Sequence, residues 1–343
     1  MEYTTLDKIS ENLDSKRKPI TSSDREEGSI PYYGASGIVD YVKDYIFDES
    51  LLLVSEDGAN LLARSTPIAF SVSGKTWINN HAHVLRFSNQ KLQKYVEIYL
   101  NSISLESYVT GSAQPKLNQK MLNEIPIPVA DDLQIDLVVD SIDKIKKIIE
   151  QRKQELACLD ELIKARFVEM FYDKGYPVLK WNDVFNTTTG KLDSNAAVED
   201  GEYPFFTCSK EALRIDKFAF DQEALLLAGN NAAGKYDVKY YKGKFNAYQR
   251  TYILGLKEDW SYQLFRYQLE DKLVYLQQQS LGGLTKYLTM KILGELYFII
   301  PPMERQIEFE EFAKQVDKSK VAVQKSLDET QQLFDSLMQE YFG

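Results

Sequence analysis

Cysteine and histidine are scarce in this sequence, and long apolar runs are absent. The 343 residues include two histidines and two cysteines, Cys158 and Cys208, which lie far apart and form no CxxC pair. This composition argues against a disulfide scaffold and against a Cys/His zinc site. No apolar run approaches the about 18 residues of a membrane span, and the N-terminus lacks a signal-peptide pattern. We therefore expect a cytoplasmic protein with no membrane contact.

An excess of basic residues is also missing. The chain has 41 Lys and Arg against 51 Asp and Glu, a net charge of −10, and 44% hydrophobic residues. These values are typical of a soluble globular protein large enough for two domains, and they exclude disorder. The acidic balance argues against a generally basic nucleic-acid surface. A local basic patch can still bind nucleic acid, because binding depends on the field at the contact face.

The chain contains an internal repeat. Gly28-Ser29-Ile30-Pro31-Tyr32-Tyr33 returns 173 positions later as Gly201-Glu202-Tyr203-Pro204-Phe205-Phe206. Further along, the offset is 171, and it aligns Gly111, Leu117, Lys120 and Glu124 with Gly282, Leu288, Lys291 and Glu295. A period this long predicts a duplicated domain and not a solenoid. We divide the chain into globular parts at 1–130 and 173–302, each followed by a helical part, at 131–172 and 303–343.

Each helical part has apolar residues spaced three and four apart, which form one stripe on a helix. No Pro or Gly interrupts residues 131–172 or 303–342. We predict that the two helices pair antiparallel within one molecule, although two separate coiled-coil dimerisation tails are an alternative. The predicted pairing residues are Ile142, Ile145, Ile149, Leu156, Leu159 and Ile163 in the first helix, and Val316, Val323, Leu327, Phe334 and Leu337 in the second.

The globular parts contain short β-branched and aromatic runs bounded by Gly, Asn and Asp, which predict strands joined by tight turns. These runs are residues 45–54, 67–72, 224–227, 238–241 and 252–254, and helical spacing occurs at 92–100 and 262–276. The predicted fold class is α+β, with two mixed α/β domains joined by two long antiparallel helices in a pseudo-twofold repeat.

Enzyme motifs are incomplete. Residues 229–235 satisfy the GxxxxGK part of a phosphate-binding loop, but Tyr236 stands where a Ser or Thr must reach magnesium, and a strand-like run follows. Pro301 and Pro302 lack the preceding amide or carboxylate of an adenine methyltransferase motif. His81 and His83 lack an apparent third metal ligand. We therefore predict a binding protein with no catalytic residue, no metal and no cofactor.

Residues 235–250 combine five basic residues with one acid and several aromatics. Basic side chains neutralise phosphates, while amide and guanidinium groups read adenine and guanine edges. A solvated hairpin with no DNA role is the alternative. The DNA-contact candidates here are Lys235, Lys239, Lys242, Lys244, Asn246, Gln249 and Arg250, and those of the first half are Lys75, Thr76, Asn79, Asn80 and His81.

The duplicated globule-plus-helix plan resembles the specificity subunit of type I restriction-modification enzymes over the whole chain. The motifs that carry the resemblance are Gly111-Ser112-Ala113-Gln114-Pro115-Lys116-Leu117 and Gly282-Gly283-Leu284-Thr285-Lys286-Tyr287-Leu288, with Ile125-Pro126-Ile127-Pro128 and Ile299-Ile300-Pro301-Pro302 before the helices. The resemblance implies that each globule reads half of a split double-stranded DNA sequence. It also implies that the helices carry two methyltransferase subunits and, in the full complex, restriction subunits, and that methylation, cleavage and ATP use belong to those partners.

Two alternatives from other classes stay open at this point. A coiled-coil scaffold or regulatory protein without a DNA role would fit the helices and the acidity. A phosphate-loop enzyme would fit residues 229–235 and would bind ATP alone. Neither the bases read nor the spacer between half-sites follows from the sequence.

Overall fold

A computed structural model describes residues 2–111, 114–232 and 234–343. The chain forms two compact units, one of residues 1–154 with 325–343 and one of residues 155–324. Each unit contains one globular domain and a segment of each of two long helices, α5 (Asp132–Phe171) and α10 (Met303–Phe342).

The first domain is built on two four-stranded sheets with the orders β2-β9-β6-β7 and β4-β3-β8-β5, plus the small pair β1-β10. Its strands are β1 (Tyr3–Thr4), β2 (Glu11–Asn12), β3 (Glu27–Gly34), β4 (Gly37–Val42), β5 (Phe47–Asp48), β6 (Leu51–Ser55), β7 (Ala69–Val72), β8 (Lys75–Ile78), β9 (Ala82–Arg86) and β10 (Ile127–Pro128). Its helices are α1 (Leu6–Ile9), α2 (Asn60–Ala63), α3 (Gln90–Ser102) and α4 (Gln119–Glu124). Strands β3 and β8 are parallel, and the other pairs are antiparallel.

Strand β6 forms the centre of the first domain and is buried at every position. Successive side chains of a strand point to opposite faces of its sheet. Leu52 and Val54 pack with the buried face of α3, while Leu51 and Leu53 pack with a second cluster that includes Ile78. Both faces of this strand are therefore covered, which explains its unbroken apolar sequence.

The second domain has a related arrangement of strands. It is built on one six-stranded sheet of order β12-β18-β15-β17-β13-β14, plus the small pairs β11-β20 and β16-β19. Its strands are β11 (Val178–Lys180), β12 (Phe185–Thr189), β13 (Tyr203–Phe206), β14 (Leu213–Ile215), β15 (Phe220–Ala228), β16 (Asn230–Asn231), β17 (Val238–Ala247), β18 (Thr251–Leu256), β19 (Lys286–Tyr287) and β20 (Tyr297–Ile299). Its helices are α6 (Trp181–Val184), α7 (Tyr262–Asp271), α8 (Leu273–Gln279) and α9 (Met290–Gly294). Leu225 and Leu227 of β15 face one core cluster, and Leu226 faces another, as the residues of β6 do.

The two long helices run antiparallel, as the contacts inside the second unit show. Arg166 of α5 pairs with Glu308 of α10 at 2.9 Å, and Asp160 pairs with Lys320. The residue number therefore rises along α5 while it falls along α10. In the first unit, the start of α5 contacts the end of α10, since Lys146 lies 5.9 Å from the centre of the Phe334 ring.

The predicted pairing residues are all buried or half-buried. Ile142, Ile145, Ile149, Ile163, Val316 and Val323 are buried, and Leu156, Leu159, Leu327, Phe334 and Leu337 are half-buried. Phe334 and Leu337 pack against the cluster that contains Ile142, and Leu159 packs against the cluster that contains Ile163 and Val316. The predicted fold class, two mixed α/β domains with two long antiparallel helices in an internal repeat, is confirmed. The division at residues 130, 172 and 302 stays a prediction.

Two local expectations and one alternative were wrong. The run 45–54 contains two strands, because β5 pairs with β8 whereas β6 pairs with β9. The predicted helix 262–276 is split after Asp271, where the Lys272 N–H bonds to the Leu269 carbonyl at 3.1 Å and tightens the last turn. Residues 235–250 do not form a hairpin of their own, because β17 pairs along its length with the upstream strand β15.

Candidate nucleic-acid interface

Two tight turns occupy equivalent places in the two domains. We call residues 79–81 turn A and residues 248–250 turn B. The Asn79 N–H donates to the Tyr33 carbonyl at 3.0 Å, and the Tyr248 N–H donates to the Phe206 carbonyl at 2.9 Å. In both domains this bond continues the parallel pairing of the preceding strand, β8 with β3 and β17 with β13.

A second backbone bond closes each turn in the same way. The Glu56 N–H donates to the carbonyl of His81 at 2.9 Å, and the Gly229 N–H donates to the carbonyl of Arg250 at 2.8 Å. Turns A and B therefore have matching backbone frames. Sequence comparison missed this match, because the repeat offset falls from 173 at β3 and β13 to 169 at the turns and then returns to 171.

The side chains on these frames differ. Turn A presents the exposed Asn80 and His81, and turn B presents the exposed Gln249 and Arg250. His81 Nδ1 lies 2.8 Å from a carboxylate oxygen of Asp57, and Gln249 donates to Asp193 at 3.3 Å. Turn A thus carries an amide and an imidazole at the surface, and turn B an amide and a guanidinium, with a carboxylate to orient one group in each turn.

Three candidate side chains are buried and have no surface for a base in this conformation. Thr76 is 0% exposed, Asn79 is 7% exposed and Asn246 is 5% exposed. The amide oxygen of Asn79 accepts the His81 N–H at 2.8 Å, and the Asn246 amide donates to the Lys217 carbonyl at 2.9 Å. Asn79 and Asn246 hold the backbone, and Thr76 faces the core.

The basic candidates have different surroundings. Lys239 is held by Asp237 at 2.5 Å, and Lys242 pairs with Glu223 at 2.9 Å. Lys235 is exposed beside the loop after β16, and Lys75 and Lys244 are exposed on β8 and β17. The basic residues of segment 235–250 therefore differ: some form ion pairs, and others face solvent.

The glycine motifs form matching closed loops beside the turns. The first motif loop, residues 110–117, is bridged by Thr110 and Lys116, and the second, residues 281–288, by Leu281 and Tyr287. Ser112 and Ala113 of the first motif lie outside the described residues. Gly111 and Gly282 have φ values of +85° and +102°, which favour glycine.

Each motif loop is fixed by its leucine. Leu117 donates its N–H to the Glu56 carbonyl at 2.8 Å, and Leu288 donates to the Gly229 carbonyl at 2.8 Å. The leucine carbonyls meet equivalent side chains on β9 and β18, since His83 Nε2 lies 2.7 Å from Leu117 O, and the Tyr252 hydroxyl donates to Leu288 O at 3.1 Å. The motif therefore supports the backbone to which turns A and B are bound.

In the described residues, the segment 229–235 does not have the structure of a phosphate-binding loop. Asn230 and Asn231 form β16 and pair with β19 of the second motif loop. Strand β17 follows, where a nucleotide-binding loop would continue into a helix. Ala233 lies outside the described residues.

The two histidines have different environments, since His81 is exposed in turn A and His83 is buried on β9. His83 is 1% exposed, and its Nδ1 lies 2.6 Å from Asp14. Asp14, Glu56 and His83 have potential ligand atoms within 4.8 Å of one another, a grouping that the sequence did not reveal. Arg17 and Lys116 also bind Glu56, at 2.6 and 3.2 Å, so the group is an internal ion network.

Charge pairing changes the acidity of both carboxyls in this network. Burial raises the pKa of Asp14, but the hydrogen bond and charge of His83 lower it further, so the pKa lies below the ordinary value. Burial also raises the pKa of Glu56, and the Arg17 hydrogen bond with the charges of His83 and Arg17 brings it below its ordinary value. The network joins β9 to the first motif loop while both carboxylates are ionised.

The family described as type I restriction modification DNA specificity domain matches residues 1–157 and again residues 173–331. The chain belongs to this family. Members are non-catalytic subunits that recognise the DNA target, so the scaffold without a DNA role and the phosphate-loop enzyme are both disfavoured.

Relatives of this specificity subunit support the assignment. The chain is 24% identical over 330 residues to a putative type I restriction enzyme specificity subunit of Haemophilus influenzae, covering 89% of this chain and 85% of that protein. It is 46% identical over 94 residues to the EcoDI specificity subunit of Escherichia coli, covering 26% of this chain and 20% of that protein.

Solved structures share the fold. The S subunit of a type I restriction-modification system from M. genitalium has a TM-score of 0.68 at 13% identity and covers 99% of this chain and 96% of its own. A structure described for complex assembly and conformational transition of the type I R-M system has a TM-score of 0.56 at 14% identity, with coverage of 99% and 97%. Among the described residues, no helix is long and apolar enough to span a membrane.

Proposed function

We propose that each domain of this specificity subunit reads one half of a split DNA target, with turn A contacting one half-site and turn B the other. The observation that carries this proposal is the matching backbone frame of the two turns combined with unlike exposed side chains. A common frame places base-reading groups in a common geometry, and different groups on it select different bases.

The chemistry of the side chains fits this role. Amide groups such as those of Asn80 and Gln249 make paired hydrogen bonds with adenine, and the Arg250 guanidinium does so with guanine. Such a paired contact discriminates by about 1 to 3 kcal/mol against the wrong base. The two half-sites should therefore be unlike in sequence.

We further propose that the helices α5 and α10 carry two methyltransferase subunits and, in the full complex, restriction subunits. Each helix has 40 residues, which at about 1.5 Å per residue gives a length of about 60 Å. Both keep exposed apolar residues, including Leu133 at 81% and Val321 at 71%. We also propose that the subunit works in the cytoplasm, where it would meet a DNA target.

The test is a base-pair scan with the assembled modification complex. Duplexes with single substitutions across the target are competed against the parent duplex, for wild type, Gln249→Ala and Arg250→Ala. We expect each variant to lose discrimination of up to about 1 to 3 kcal/mol at one or two positions of a single half-site. The corresponding variants Asn80→Ala and His81→Ala serve as matched controls and should affect only the other half-site. Unchanged discrimination in all four variants would contradict the proposal.

A further inference from the structure

The two domains carry the same lysine–aromatic pair on their surfaces. Lys75 Nζ lies 4.7 Å from the centre of the Tyr45 ring in the first domain. Lys244 Nζ lies 4.8 Å from the centre of the Phe218 ring in the second. We call these the first and second lysine pairs.

Strand register shows that the pairs occupy equivalent positions. Lys75 of β8 faces Asp48 of β5, and Lys244 of β17 faces Asp221 of β15. The offset between the lysines is the 169 positions that also relates turn A to turn B. Each lysine therefore lies on the strand that leads directly into its turn.

Both pairs are open to solvent. Tyr45 is 46% exposed and Phe218 is 42% exposed, although most aromatic residues of these domains are buried or half-buried. Among the residues that the structure describes, the rings are the contacts of both ammonium groups, which form no ion pair or hydrogen bond there. By contrast, Lys242 is neutralised by Glu223. The ammonium groups of the two pairs thus lie over a ring and are not bound by a carboxylate in the described residues, although an aspartate faces each lysine across the sheet.

We propose that the two lysine pairs bind DNA phosphates and anchor each domain on the duplex independently of sequence. This inference rests on the proposed half-site reading. The turns differ in their exposed side chains, as reading unlike half-sites requires. A feature that both domains share cannot distinguish those half-sites, and phosphate is the part of DNA that is the same in both.

The position on the strand fits an anchor beside a reading turn. Lys75 is four residues before Asn79, and Lys244 is four residues before Tyr248. At about 3.3 Å per residue this separation is about 13 Å. One DNA strand advances by about 3.4 Å per nucleotide, so the lysine reaches a phosphate about four nucleotides from the bases contacted by the turn.

The test is the salt dependence of DNA binding by the assembled modification complex. Lys75→Met and Lys244→Met are measured singly and together on the target duplex and on duplexes with either half-site scrambled. Lys75→Arg keeps the charge. Lys180→Met is the matched control, because Lys180 also lies over an exposed ring, that of Tyr297 at 5.4 Å, but on the separate β11-β20 sheet.

Each Met variant should reduce the slope of log affinity against log salt by about 0.9, and the double variant by about 1.8. The loss should be equal on all duplexes, the methylated motif should not change, and Lys75→Arg and Lys180→Met should keep the wild-type slope. An unchanged slope with normal complex assembly would overturn the inference and leave the pairs a role within the sheet. Failure of the Met variants to assemble with the methyltransferase would also overturn it, in favour of a protein contact.

These outcomes separate the inference from the proposed function. If the lysine variants keep the wild-type slope while Gln249→Ala or Arg250→Ala changes the recognised bases, the anchor fails and the reading turns stand. If the slope falls as expected but the turn variants leave recognition unchanged, the anchor stands and the assignment of turns A and B fails.

Discussion

The stability of the antiparallel helix pair should depend strongly on Phe309 of α10. This side chain is 0% exposed, and its ring centre lies 5.7 Å from Phe167, 5.5 Å from Phe171 and 5.4 Å from Tyr267. Replacing a buried Phe by Ala costs about 3 to 5 kcal/mol. Three aromatic partners place Phe309→Ala in the upper part of that range, since ring pairs add to the effect of burial.

Urea unfolding measures this effect. The variant is made in a Trp77→Phe background, so that fluorescence reports Trp181 and Trp260 of the second unit. With a slope of about 2 kcal/mol per molar urea, a loss of about 4 kcal/mol lowers the midpoint by about 2 M. The control Val321→Ala, at a residue 71% exposed on the same helix, should stay within about 0.5 kcal/mol of wild type. A loss below about 1 kcal/mol in Phe309→Ala would refute the packing described for these helices.

Three further predictions concern the motif loops and the groups next to them. A Cβ at Gly282 would lie 2.2 Å from a backbone carbonyl oxygen, and one at Gly111 would lie 2.6 Å from the equivalent oxygen, so Gly→Ala at either position should increase proteolysis of its own motif loop more than Gly283→Ala does. Because the pKa of Asp14 is lowered on folding, its stabilisation is complete above the unfolded pKa and is lost as pH falls through the folded pKa, below about pH 4. Asp14→Asn should therefore destabilise at pH 7 and flatten the acid limb of the stability curve; an acid limb identical to wild type would contradict this. The side chain of Thr289 caps α9, and Thr289→Ala should cost about 1 kcal/mol in thermal unfolding, whereas Thr289→Ser should cost less.

The long helices were predictable because their signal is local. Forty residues without Pro or Gly and with one apolar stripe leave few alternatives to a paired helix, and α5 and α10 span Asp132–Phe171 and Met303–Phe342. The structure adds a capping box at the start of α5, in which the Gln134 N–H donates to the Asp131 carboxylate and the Asp131 N–H donates to the Gln134 side-chain oxygen.

The contact surface was predictable only in part, because it depends on pairing between distant strands. Composition marked residues 235–250 as basic and aromatic, but it could not show that Asn246 faces inward or that Glu223 neutralises Lys242. Burial on a strand depends on register, and that register is set by partners far along the chain. The match of turns A and B was hidden for the same reason, since length differences between the copies shift the offset.

Sequencing of the methylated bases in cells that carry each turn variant tests whether turns A and B read opposite half-sites. Strains express the system with wild-type subunit, with Asn80→Ala and His81→Ala combined, or with Gln249→Ala and Arg250→Ala combined. We expect that each double variant relaxes or changes one half of the methylated motif, that the two affect opposite halves, and that the spacer length is constant. An unchanged motif in both strains with normal methylation, or a change in both halves from one turn, would contradict this expectation.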